Sequence, residues 1–292
     1  MKHAFIYLFL ILHPFFGKGQ EQPAAYVLAE EQSIWWLSAG DTAYIYADNA
    51  YLRDEPNLKG RILDSLQCGT MITILSPAYG GSKVRGFYAP WHEVAYKKDN
   101  VVQKGFIWIG LLALGKKMDG QGNAYLYGFD SFIPADDKKP DRYMCSVKLL
   151  DEKNTLLGKH QIEMPYTEQS FMEAKLLPHM GLKGLKHIFR IAFSGEACGI
   201  PTNYYYAGWN GAQFFDLPSR YVVSDAGVYY YQESMLFPAE HKKEANVIYK
   251  VIEEGEAQEN TDEFAAINYS IRKKEEKFLW DGKGFTKLAD VK

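Results

Sequence analysis

Between residues 43 and 114 the chain is cut into short runs of alternating side chains, each ended by a residue that cannot extend a strand. Alternation puts successive side chains on opposite faces of a ribbon, whereas an amphipathic helix needs apolar residues to recur every three to four positions. Ala43-Tyr44-Ile45-Tyr46-Ala47 alternates small or aliphatic with aromatic, and the run through Tyr51-Leu52-Arg53 stops at Pro56, which has no N–H for a ladder. Residues 61–66 and 69–75 are two further runs of period two, and Gly69 between them suits a tight corner. Residues 90–96 and 105–109 add two strands, carrying Trp91 and Trp108. So many short strands joined by turns predict an all-β chain.

The order of these signals resembles the bacterial SH3 (SH3b) family, whose pattern runs Leu-Arg-x-x-Pro, x-Leu-x-x-Gly-x-x-Val-x-Val, Trp-x-x-Val and Gly-Trp-Val/Ile. The matching positions are Leu52-Arg53-x-x-Pro56, Leu66-x-x-Gly69-x-x-Ile72-x-Ile74, Trp91-x-x-Val94 and Gly105-Phe106-Ile107, with Trp108 two residues after Phe106 and so on the same strand face. The resemblance implies a small SH3-like barrel over residues 41–115 acting as a binding module. It also implies a groove lined by Tyr46, Tyr51, Arg53, Tyr79, Trp91 and Trp108, where rings stack on a peptide or sugar and Arg53 pairs with a carboxylate. Trp91 and Trp108 can equally fill the core of so small a barrel. The implied ligand is peptidoglycan peptide or glycan, and a protein of the envelope fits the same residues. Residues 77–86 hold Tyr79, Gly80, Gly81, Lys83, Arg85 and Gly86 and read as a loop longer than a hairpin needs.

The amino terminus reads as an export signal. Lys2 and His3 precede an apolar run from Ala4 to Phe16, broken only by His13 and Pro14, and Gly17-Lys18-Gly19 supplies small residues for cleavage before Gln20. Residues 1–19 are therefore expected to be a signal peptide, followed by an extension over residues 20–40 and an exported, periplasmic or extracellular protein. The run is shorter than the ~20 residues of a membrane-spanning helix, so no span is expected after cleavage; an uncleaved anchor is the alternative. The formal charge of −3 becomes more acidic once Lys2 and Lys18 leave, and no Lys/Arg stripe offsets it, which argues against nucleic acid as a partner. Aromatic residues make up 15% of the chain, a share that suits half-buried strands and stacking surfaces. Cys68, Cys145 and Cys198 are widely spaced and odd in number, so at most one intramolecular bridge can form, and no Cys/His spacing suggests a metal site.

The Gly-rich stretch 115–123 reads as a polar connector before a second, β-rich domain over residues 124–292. Its Asp119-x-Gln121-x-Asn123 oxygens read as a plain turn, because no bidentate acid follows to complete a calcium loop. Within this half Trp209-Asn210-Gly211 and Trp280-Asp281-Gly282 are echoes, each followed by Phe and Leu at the same spacing (Phe214 and Leu217; Phe285 and Leu288). Asn-Gly and Asp-Gly accept the positive φ of a hairpin turn. The pair resembles the outer hairpins of propeller blades, and two hairpins of one sandwich would read alike. Further strands are expected at 144–150, 187–193, 221–223, 228–231 and 246–252. Only 167–177 permits a helix, and it reads equally well as a strand. The charged stretch 253–263 reads as a solvated turn.

Catalytic chemistry is weakly signalled. A cysteine peptidase with an SH3b targeting module would need a thiolate beside a histidine at a helix start; Cys198 has the loop context, but Ile200-Pro201-Thr202-Asn203 after it starts no amphipathic helix. There is no Gly-x-Ser-x-Gly elbow, His-Glu-x-x-His or phosphate-cradling loop. Glu163, Glu173, Glu196 and Asp216 read as surface acids rather than a glycosidase pair, and His92, His160, His179, His187 and His241 show no metal-ligand spacing. The expectation is an exported, non-catalytic binding protein without cofactor or metal, and the alternative is a cell-wall hydrolase.

Overall fold

The computed structural model describes residues 25–26, 34–165, 171–195, 197–258 and 267–289. The expected signal peptide, most of the extension after it, Glu196 and residues 259–263 lie outside these. Three sheets follow one another along the chain. The first holds β1 (Ala25–Tyr26), β2 (Thr42–Tyr44), β3 (Asn49–Arg53), β4 (Ile62–Gln67), β5 (Met71–Ile74), β6 (Tyr79–Val84), β7 (Phe87–Lys98) and β8 (Val101–Trp108), in the order β2-β5-β7-β8-β3-β4 with β1 and β6 also on β7. The second is the meander β9 (Gly115–Met118), β10 (Ala124–Ile133), β11 (Arg142–Leu150) and β12 (Leu156–Pro165). The third holds β13 (Phe171–Pro178), β14 (His187–Ser194), β15 (Thr202–Trp209), β16 (Phe214–Asp216), β17 (Arg220–Asp225), β18 (Tyr229–Leu236), β19 (Val247–Ala257), β20 (Tyr269–Trp280) and β21 (Phe285–Lys287). One helical turn, α1 (Pro238–His241), precedes β19.

The all-β class is observed, with three corrections of detail. The first sheet does not close into a barrel: its path runs from β2 to β4 and those ends do not pair. Residues 79–84, read as loop, form β6, because a two-residue turn at Arg85-Gly86 with positive φ at both positions lets them pair back onto β7. Residues 253–257, read as a solvated turn, continue β19, whose Glu253, Glu254 and Glu256 lie opposite Lys273, Arg272 and Ser270 of β20. Unlike charges across a ladder support it where like charges would not. Of the ambiguous segment 167–177, residues 171–177 lie in the strand β13, and residues 167–170 lie outside the described residues.

The second sheet is a middle layer. Every residue from Ala124 to Phe129 of β10 is buried, because both of its faces are covered. Tyr125, Tyr127 and Phe129 meet Phe189 and Phe193 of the third sheet, with Tyr125 and Phe189 stacked at 6.2 Å. On the other side Ala124, Leu126 and Leu150 cluster with Tyr46 and Ala113. One apolar cluster therefore runs through all three sheets, from Ile72 and Trp91 through Tyr125 to Ile191 and Trp209. A second, around Ile188, Tyr206, Ile248 and Trp280, belongs to the third sheet. The echoed hairpins are real and lie in one sheet, not in separate blades, since Phe215 packs edge-on to Trp280 at 5.1 Å.

Candidate functional site

In an antiparallel pair, residues directly opposite share a face, and so do residues two apart on a strand. In the first sheet Trp91 lies opposite Trp108, Glu93 opposite Phe106, and Phe106 opposite Arg53, which has Tyr51 two residues before it. Tyr79 of β6 lies opposite Trp91 and sets its ring edge-on to Phe106 at 5.3 Å. Tyr51, Arg53, Tyr79, Trp91 and Trp108 thus share one face, with Phe106 at its centre. The opposite face carries Ala50, Leu52, Val94 and Ile107 into the core.

The face is open at one end and covered at the other. Trp91 and Trp108 are only 2% and 1% exposed, because the β6–β7 hairpin folds over them. The Trp91 indole donates to Ser82 Oγ at 2.9 Å, and that of Trp108 to the carbonyls of Ser82 and Ala89 at 2.9 and 2.8 Å. Rings so enclosed brace the face and leave stacking to their neighbours. Tyr51 and Tyr79, at 48% and 42% exposure, present their rings to solvent. Arg53 is half-buried and donates to the Gly60 carbonyl at 2.6 Å, so the guanidinium is held beside the face with its charge unneutralised by that bond. A glycine at position 105 is required for this arrangement, because a Cβ there would fall 2.7 Å from Leu52 and 2.8 Å from the Arg53 carbonyl.

Tyr46 lies elsewhere. It is 1% exposed at the junction of the first two sheets, where its hydroxyl bonds Ser146 Oγ and donates to Asp130 Oδ1 at 3.0 Å. Burial first, and the nearby Asp130 charge second, push its phenol well above the usual tyrosine range. Period-two reading placed Tyr46 on a strand but gave no sign that a second sheet would cover it.

Among the described residues the other candidate acids and the histidines each have a structural partner. Asp119 Oδ1 accepts the Gln121 and Asn123 amides at 2.7 and 3.1 Å, the bonds of a plain turn. Glu163 pairs with Lys139 and Arg142, Glu173 with Lys175 and Arg190, and Asp216 with His160 at 3.0 Å. His92 faces the Ser76 carbonyl, His187 the Tyr125 hydroxyl, His241 the Val247 carbonyl, and His179 accepts the Gly181 amide. All three thiols are free; Cys145 is buried and Cys198 exposed. Among the described residues no group of three or more His, Cys, Asp and Glu side chains could hold a metal ion, and no helix is long and apolar enough to cross a membrane.

No family model, curated protein or solved structure matches this chain.

Proposed function

We propose that the chain is an exported, non-catalytic binding protein that engages its ligand with the open end of the first sheet's outward face. The observation that carries this reading is the strip Tyr51, Arg53, Phe106 and Tyr79, in which Tyr51 and Arg53 stand two apart on β3 and Phe106 joins Arg53 to the exposed ring of Tyr79. Aromatic rings with an apolar face and a polar tip suit half-wet contacts, and an arginine adds a donor fork for carboxylates. The SH3b resemblance points to cell-wall peptide or glycan, or an envelope protein, as the ligand.

The test is retention of the full chain on insoluble peptidoglycan, beside Tyr51→Ala/Tyr79→Ala and an assay of released muropeptides. Retention without release, lost in a double variant with unchanged thermal unfolding, is the expected result. Muropeptide release abolished by Cys198→Ala would replace this reading with the hydrolase.

A further inference from the structure

We infer that the open face takes an acidic polysaccharide, a polymer of sugar rings carrying carboxylates; this rests on the binding reading above and adds the charge class of the ligand. Along β8, Val102, Lys104, Phe106 and Trp108 are two residues apart and share the outward face. On β7, Lys97 lies opposite Val102 and Ala95 opposite Lys104, so Lys97 and Lys104 are diagonal neighbours on that face. Both are exposed. Neither makes an ion pair among the described residues, whereas Lys98, Lys148, Lys159, Arg190, Lys250 and Lys273 each meet a carboxylate within 3.3 Å. With Arg53, these two lysines share the strip with Glu93, opposite Phe106, and Asp99 stands in the turn just beyond Lys97. The whole chain carries −3, so the strip is a local inversion of charge. Screening over about 8 Å at physiological salt lets that local excess, rather than the net charge, govern a bound anion.

The arrangement favours a glycan over an acidic protein. Protein interfaces deplete charge at their centres and concentrate apolar contact there. Here Lys104 stands between Val102 and Phe106, and Arg53 lies opposite Phe106, so cations alternate with apolar side chains through the middle of the strip. That alternation matches a chain in which each flat ring bears an acid: Tyr51 and Tyr79 offer stacking surfaces, and Arg53, Lys97 and Lys104 offer the countercharge.

Polygalacturonate is the probe, its methyl-esterified form is the matched neutral control, and the full chain, Lys97→Gln/Lys104→Gln and Tyr51→Ala/Tyr79→Ala are compared. Expected is binding to the free-acid polymer that weakens about tenfold in the lysine variant and again as salt rises from about 0.05 to about 0.5 M, with little binding to the ester. Equal affinity for acid and ester, or affinity unchanged in the lysine variant, would overturn the charge assignment. Retention on peptidoglycan without binding to polygalacturonate would overturn it too while leaving the binding reading in place; loss of both would remove both.

Discussion

Lys148 is the residue whose environment departs furthest from what its type prefers. Its side chain is 5% exposed, yet Nζ donates to the Tyr46 carbonyl at 2.8 Å and to Asp48 Oδ1 at 2.7 Å and lies 4.5 Å from the centre of the Tyr46 ring. The methylene stem is packed while the charge is satisfied at the edge, which is how a lysine is tolerated inside. Lys148→Met keeps the stem but leaves the Tyr46 carbonyl only the weak Cys68 thiol donor at 3.3 Å, so it is expected to cost about 1–3 kcal/mol in chemical denaturation. Trp108→Ala removes a braced core ring and is expected to cost about 3–5 kcal/mol, which makes it a stability variant and unsuitable for locating the ligand. The thiols give a third check. Burial pushes Cys145 far up and Cys68 up from the ordinary thiol range, while Cys198 is exposed. Alkylation of the native protein followed by mass spectrometry is expected to label Cys198 first and Cys145 only on unfolding; rapid labelling of Cys145 would contradict its burial.

At the scale of single elements, the two echoed hairpins are held by the same bonds. Asn210 Oδ1 accepts the amides of Ala212 and Gln213 at 2.8 and 2.9 Å, and Asp281 Oδ1 those of Lys283 and Gly284 at 2.8 and 2.9 Å. Gly211 and Gly282 follow at φ of 105° and 92°, which a side chain adopts only with strain. Asn210→Asp is therefore expected to preserve stability at neutral pH, since only the accepting oxygen is used, whereas Gly211→Ala is expected to lower it by about 1 kcal/mol or more. Another element-level tie, between β4 and β7, gives a pH dependence. Asp64 accepts from Lys98 Nζ at 2.6 Å and from the Tyr96 hydroxyl, and these bonds, Lys98 first, hold its carboxyl at about 2. A depressed folded value means the unfolded chain binds the proton more readily, so this contribution is fully present above the ordinary carboxylate value of ~3.9 and is lost as pH falls through about 2. Asp64→Asn should lower the melting temperature at pH 7, and the gap from wild type should close below pH ~2; a gap independent of pH would contradict the assignment. These strands and turns were legible in advance because alternation, Pro56 and the Asx-Gly pairs act over a few residues. The strand β6 was not, because Gly80 and Gly81 give no alternation and pairing with β7 depends on the turn at Arg85-Gly86.

At the scale of the whole molecule, one apolar cluster joins all three sheets, and Trp35 contributes to it both by its edge-on contact with Phe129 and by its indole N–H donating to the Leu112 carbonyl at 3.1 Å. Sheets that share a core lose it together, so calorimetry is expected to show a single main transition; two well-separated transitions would show that the sheets are stable apart. Of the candidate groove, the amino-acid order put Tyr51 and Arg53 on one strand face by parity and joined them to Tyr79, Trp91 and Trp108 only through the SH3b resemblance, Tyr79 standing in a segment that read as loop. It also determined the all-β class and the paired hairpins, which depend on local backbone preference. Burial was decided only by the tertiary structure. A tryptophan or tyrosine on an outward face has the same local pattern whether it meets water or another strand, and it took the β6 hairpin to enclose Trp91 and Trp108 and the second sheet to enclose Tyr46. The open path of the first sheet was decided in the same way, because barrel closure depends on contacts between strands far apart in the chain.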